Sequence, residues 1–85
     1  MTLRDLILNG LDRQALSRKA LADAIGLDTA VSVSKWIRPR RPEPVPWRHW
    51  TRLCKALGIP WSHWYRVAKK ELPASTHLYD KYLGR

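Results

Sequence analysis

The sequence predicts an all-α fold: five helices around one core, followed by a short C-terminal helix. Three observations predict it. Apolar residues recur at helical spacing through most of the chain. Residues that start and stop helices fall at the ends of those periodic runs. No stretch alternates apolar and polar residues as a half-buried strand would, and there is no internal repeat or low-complexity tract.

Leu3, Leu6, Ile7 and Leu11 share one face of a first helix. Thr2 is its N-cap, and Asp5 three residues later completes a capping-box pattern. Gly10 weakens it, so its end falls between there and Gln14. Ser17 caps a second helix with Leu21, Ala22 and Ile25 on its apolar stripe, and Gly26 stops it. A third helix is expected to start near Asp28 or Thr29, with Val33, Trp36 and Ile37 inward. Pro39 ends it at about Arg38.

Residues 39–46 read Pro-Arg-Arg-Pro-Glu-Pro-Val-Pro, which excludes helix and favours an extended loop inside one domain. Pro46 suits the first turn of a fourth helix, with Trp47, Trp50, Leu53, Cys54 and Leu57 inward and Gly58 at its end. Pro60 opens a fifth, with Trp61, Trp64, Tyr65 and Ala68 inward, ending near Glu71 before Pro73. Ser75 is the expected cap of a last short helix carrying Leu78, Tyr79, Tyr82 and Leu83. Residues 1–72 are read as the domain and 73–85 as a tail.

At 85 residues the chain has room for one modest core. The Arg4–Asp5 charge pair argues against a signal peptide, and no apolar run reaches the roughly 18 residues of a membrane span. One cysteine, Cys54, allows no internal disulfide, and a cytoplasmic location is expected. Lys and Arg number 16 against 7 acids. Their placement says more than the total. From Thr29 to Lys70 there are ten basic residues and one acid, Glu43, while four of the seven acids lie in the first 28 residues. A basic region on a small domain points to phosphate backbone. A solubilising charge excess or an anionic membrane surface would give the same composition.

Residues 17–36 hold the most specific pattern. Two helices that cross steeply need a small residue at their contact, which Ala22 supplies. The turn between them needs a positive φ, which Gly26 adopts cheaply. Leu27 packs under the turn, and Val33 and Trp36 anchor the second helix. Here the sequence resembles the lambda-repressor and Cro family of helix-turn-helix regulators. That family reads roughly leucine-serine-x-x-x-leucine-alanine-x-x-x-glycine, then valine-serine-x-tryptophan. The chain has Leu16-Ser17, Leu21-Ala22, Gly26 and Val33-Ser34-Lys35-Trp36. The likeness continues through Pro46, Leu53, Ala56-Leu57-Gly58-Ile59 and Trp64, and covers about residues 3–68. Gly26 to Val33 is one residue longer than the usual spacing, and the proline-rich stretch is unusual for the family. Size and basicity resemble those of small phage or plasmid regulators.

The resemblance implies that the motif's second helix lies in the major groove of double-stranded DNA, its first turns against base edges. Helical geometry selects the same face: with Val33 inward, Val31, Lys35 and Arg38 point outward, with Ser32 and Ser34 on the shoulders. Val31 could touch a thymine methyl, and Lys35 or Arg38 could donate to guanine O6 and N7. The extra residue adds Thr29 and Ala30 as candidates. An ordinary solvated helix face is the bland alternative. Arg18 opens the motif's first helix, where the family often contacts phosphate, with Lys19 beside it. Arg40 and Arg41 are expected to follow the backbone; Arg48 and Arg52 share one face of helix four, either as phosphate contacts or simply solvated.

Other chemistries fit less well. Five tryptophans could form a stacking platform for single strands, but their helical spacing favours a core role for Trp36, Trp50 and Trp64, with Trp47 and Trp61 partly exposed. His49, His63 and His77 lack the tight spacing of a metal site. Cys54 reads as a small apolar filler. No phosphate loop or catalytic triad is evident, so no enzymatic activity, cofactor, metal or small-molecule ligand is expected. The expected function is sequence-specific double-stranded DNA binding, as a repressor acting by promoter occlusion. An activator, a recombination accessory factor or a protein-interaction module are the alternatives. Leu78, Tyr79, Tyr82 and Leu83 are expected to join two copies into a homodimer on an inverted repeat; the other possibility is that this helix folds back over its own core.

Overall fold

Helix α1 (Leu3–Gln14) begins where its sequence dictates. Thr2 Oγ1 accepts from the Asp5 backbone N–H at 3.1 Å, and the Asp5 carboxylate accepts from the Thr2 N–H at 3.0 Å. Bonds to the Thr2 backbone and then to its hydroxyl hold the Asp5 carboxyl below its ordinary pKa. The helix runs through Gly10 to its full length. Gly10 is there for contact: a Cβ on it would sit 2.8 Å from Leu57 Cβ, so its bareness sets how closely α1 approaches α4 (Trp50–Leu57).

In this computed structural model, which describes residues 1–84, the remaining helices are α2 (Arg18–Ala24), α3 (Val31–Trp36), α5 (Trp61–Glu71) and α6 (Pro73–Tyr82). A 3-10 turn, Trp47–His49, leads into α4. Among the described residues the architecture is all-helical, and no helix is long and apolar enough to cross a membrane. Ser17 caps α2 by accepting from the Ala20 N–H at 3.0 Å. Gly26 (φ 85°) and Gly58 (φ 66°) make the turns after α2 and α4 in the left-handed region.

Three boundaries differ from the sequence reading. Helix α3 starts at Val31 and ends at Trp36, shorter than the expected span from near Asp28 to Arg38. Thr29 Oγ1 accepts from the Val31 N–H at 3.3 Å, a local bond that competes with an earlier helical start. At the other end Pro39 disfavours helical backbone at Arg38. Second, Pro46 precedes a 3-10 turn rather than α-helix, and α4 proper begins at Trp50. Third, Ser75 is not a cap. Pro73 opens α6 at its first turn, with Leu72 before it, so Ser75 is interior.

The core draws on every helix, and Trp50 is its centre, fully buried. Its ring lies edge-on to Trp64 at 6.2 Å and stacked on Tyr79 at 5.7 Å, with Trp61 at 6.5 Å. Its indole N–H donates to the Val45 carbonyl at 2.9 Å, tying the proline-rich loop to the core. Trp36 and Trp64 are buried and Trp47 and Trp61 half-buried, as their spacing indicated. Helix α6 packs on α5 and on the 3-10 turn: Tyr79 lies 4.8 Å from Trp61, and Tyr82 stacks on Trp47 at 5.6 Å. The tail is therefore folded back over its own core.

Candidate nucleic-acid interface

Helix α3 has six residues, too few to be stable alone. Val33 and Trp36 plug it into the core, with Ile37 behind them. Polar tethers complete its seating. Arg4 Nε donates to the Ile37 carbonyl at 2.9 Å, closing the C-terminal end of α3 against α1. Arg18 Nη1 donates to Ser34 Oγ at 3.3 Å, linking α2 to α3.

Inward anchoring of Val33 and Trp36 turns Val31 and Lys35 outward, as the 100° step requires, and Arg38, two residues past the end of α3, is exposed beside them. Val31 is 58% exposed on this face. A shallow groove of about 550 Å³ runs along this face. It is lined by Arg18, Ala30, Val31, Ser34, Lys35 and Arg38, with Ile37 and Pro39 as apolar floor. Three cations and no carboxylate line it. Six of the residues selected from sequence thus meet on one surface.

The others lie around it. Ser32 is half-buried at the first turn, and Thr29 sits in the turn before α3, its hydroxyl engaged with Val31. Thr29 and Ala30 are thus not part of the helix that the sequence reading gave them. Lys19 is paired with Asp23 at 2.7 Å and reaches the Asp28 carbonyl at 3.4 Å. Both partners are well exposed, so the pair is worth under about 1 kcal/mol. Arg40 and Arg41 are exposed in the loop after α3, with no hydrogen bond or ion pair to the described residues. Arg41 has φ 49°, which for a residue with a Cβ marks a tightly turned loop. Arg48 lies over the Trp47 ring at 5.6 Å and does not line the groove.

Sequence reasoning missed Glu43. Its backbone N–H donates to the Lys35 carbonyl at 3.0 Å, and its carboxylate pairs with Arg38 Nη2 at 3.0 Å. The available signal was its isolation as the single acid among ten bases. Arg52, whose guanidinium lies where a Cβ on Gly26 would come within 3.4 Å, is a further cation beside the α2–α3 turn.

Burial shifts two further groups. Burial pushes the Cys54 thiol up to about 12, so it stays protonated and unreactive in the fold. His49 packs 6.1 Å from Trp36, and burial, then Arg52 and Arg48, lower its pKa. Among the described residues no three His, Cys, Asp or Glu side chains gather around a point that could hold an ion. No protein-family model, curated protein or solved structure matches this chain.

Of the four residues expected to join two copies, Tyr79 is half-buried against Trp50 and Trp61. Leu78, Tyr82 and Leu83 remain exposed on α6.

Proposed function

We propose that this chain is a sequence-specific double-stranded DNA-binding protein of the lambda-repressor and Cro type, with α2 and α3 as its helix-turn-helix. The observation that carries the proposal is the groove along α3, where Arg18, Lys35 and Arg38 surround the exposed Val31 with no acid in the lining. Neutral base edges and a thymine methyl are the chemistry that such a mixture fits. Since α3 begins at Val31, the extra residue between Gly26 and Val33 is taken up in the turn. Val31, Ser34, Lys35 and Arg38 are then the residues that read bases, while Arg18, Lys19, Arg40 and Arg41 neutralise phosphates.

Repression follows by occlusion where the bound site overlaps a promoter. A domain this small reads a short site, so it acts as a two-fold dimer on half-sites about 34–36 Å apart, paired through the exposed Leu78, Tyr82 and Leu83. Selection from a random duplex pool, followed by salt titration on the enriched site, tests the proposal. An enriched inverted repeat and an affinity that falls steeply with salt are expected. A pool that shows no enrichment would remove this reading.

A further inference from the structure

We propose that Glu43 is a specificity-determining residue of the α3 surface: it positions Arg38 for guanine and makes it a poor phosphate ligand. The inference rests on the DNA-binding reading above and assigns a role to a residue outside the basic set.

The geometry is that of a clasp. Residues 38–43 leave α3 and return to it, closed at two points. The Glu43 N–H bonds the Lys35 carbonyl in the last turn of the helix, and the Glu43 carboxylate takes Arg38 Nη2. Pro39 and Pro42 fix φ at two positions on the way, which lowers the entropy cost of closure, and Arg41 at φ 49° turns the chain back. Both side chains are about half exposed, so the pair alone would contribute little. The backbone anchor and the prolines are what keep the carboxylate in place.

A guanidinium carries five donors in a rigid fork, and one carboxylate contact at Nη2 leaves the others free. Two acceptors are available to them on DNA, and the carboxylate separates the two. A phosphate is an anion attracted by net charge; beside Glu43 the pair is neutral overall, and the carboxylate repels the approaching phosphate. Guanine O6 and N7 are neutral acceptors in bidentate register with the fork, so the geometric part of the bond survives. Glu43 thus lowers the general attraction of Arg38 for backbone more than its attraction for guanine.

The test uses the whole chain on its selected duplex and on random duplex. Glu43→Gln keeps the backbone anchor and removes the charge. It is expected to bind random DNA more tightly, to steepen the salt dependence by about one phosphate equivalent, and to lower the ratio of selected to random affinity severalfold. Replacing single guanines by 7-deazaguanine removes the N7 acceptor; one position should lose affinity in the wild type, and that loss should be absent in Arg38→Ala. The deciding measurement is the double-mutant cycle. In an Arg38→Ala background, Glu43→Gln should no longer change the specificity ratio. A ratio that falls equally in both backgrounds makes Glu43 a general charge effect and overturns the proposal, as does a ratio unchanged by Glu43→Gln alone. Matching thermal melts exclude unfolding as the cause. If wild-type protein enriches no site, the DNA reading itself fails and this assignment falls with it; if it enriches a site and the cycle shows no coupling, only the role of Glu43 falls.

Discussion

Around Trp50, three aromatic rings from α5 and α6 close over a fully buried indole whose N–H is satisfied. Around α3, a six-residue helix enters the core through Val33 and Trp36 and is tethered at its C-terminal end by Arg4 of α1 and at Ser34 by Arg18 of α2. The first region is stabilised by buried apolar area, which is worth about 1.5–3 kcal/mol per large side chain. The second also buries Val33, Trp36 and Ile37 but keeps its outer face exposed, and its two side-chain hydrogen bonds add at most about 1 kcal/mol each. Stability and candidate function are thus separated in space. The aromatic half carries the fold, and the basic half is free to keep exposed apolar and cationic groups that a core would not tolerate.

The largest expected effect breaks the aromatic half. Trp50→Ala should cost about 3–5 kcal/mol, since it removes a fully buried ring and leaves a cavity among three others. That is of the order of the whole stability of so small a domain. Chemical denaturation followed by circular dichroism measures it. Cys54 is a second reporter: buried and protonated in the fold, it should become reactive to a thiol reagent as the variant opens. A Trp50→Ala protein as stable as the wild type would mean that the rings do not carry the fold.

Gly10→Ala sharpens the same side. Helix propensity favours alanine by about 1 kcal/mol. Against that, the new Cβ would stand 2.8 Å from Leu57 Cβ, on a residue that is itself fully buried. Forcing α1 from α4 costs about 1–3 kcal/mol, so the net change is destabilising. A raised melting temperature would show that the α1–α4 spacing relaxes freely.

The basic half is tested by binding, with little expected change in melting. Lys35→Ala should weaken the selected site by about 1–3 kcal/mol if the amine reads a base, and leave random DNA nearly unaffected. Arg40→Ala should weaken all sequences alike and flatten the salt slope by about one. Equal losses on selected and random duplex for Lys35→Ala would place the reading face elsewhere.

Much of this division was legible in the residues. The Thr2–Asp5 and Ser17 caps, the turns at Gly26 and Gly58, and the burial of Trp36, Trp50 and Trp64 all follow from local rules that the structure obeys. What could not be read depends on contacts between distant segments. Gly10 reads locally as a weak point, and only Leu57, far along the chain, gives it a reason. The start of α3 turns on a competition between Thr29 and the helix that propensity does not resolve. The helix beginning at Pro73 shows apolar residues on its sequence but not their destination, and Tyr79 went to Trp50 and Trp61 of its own chain. The Arg38–Glu43 clasp spans a proline-rich loop, where no periodicity exists to predict a pairing.

The smallest expected effect lies at the seam between the halves. His49 leads into α4 and its ring faces Trp36 of α3. Burial, then Arg52 and Arg48, hold its pKa below the ordinary 6.5. The unfolded chain therefore binds the proton more tightly than the folded one, and stability rises with pH across this window. The contribution is complete above about pH 6.5 and is lost as pH falls from there toward the lower folded value. Asp5 acts in a separate window: its depressed carboxyl stabilises the fold above its ordinary 3.8 and loses that effect only in stronger acid. Denaturant midpoints between pH 7.5 and 5 should thus fall in the wild type and fall less in His49→Gln, which cannot take up the proton. Parallel slopes for the two proteins would mean that the α3–α4 contact through His49 is too loose to sense charge, and that the two halves of the molecule are joined elsewhere.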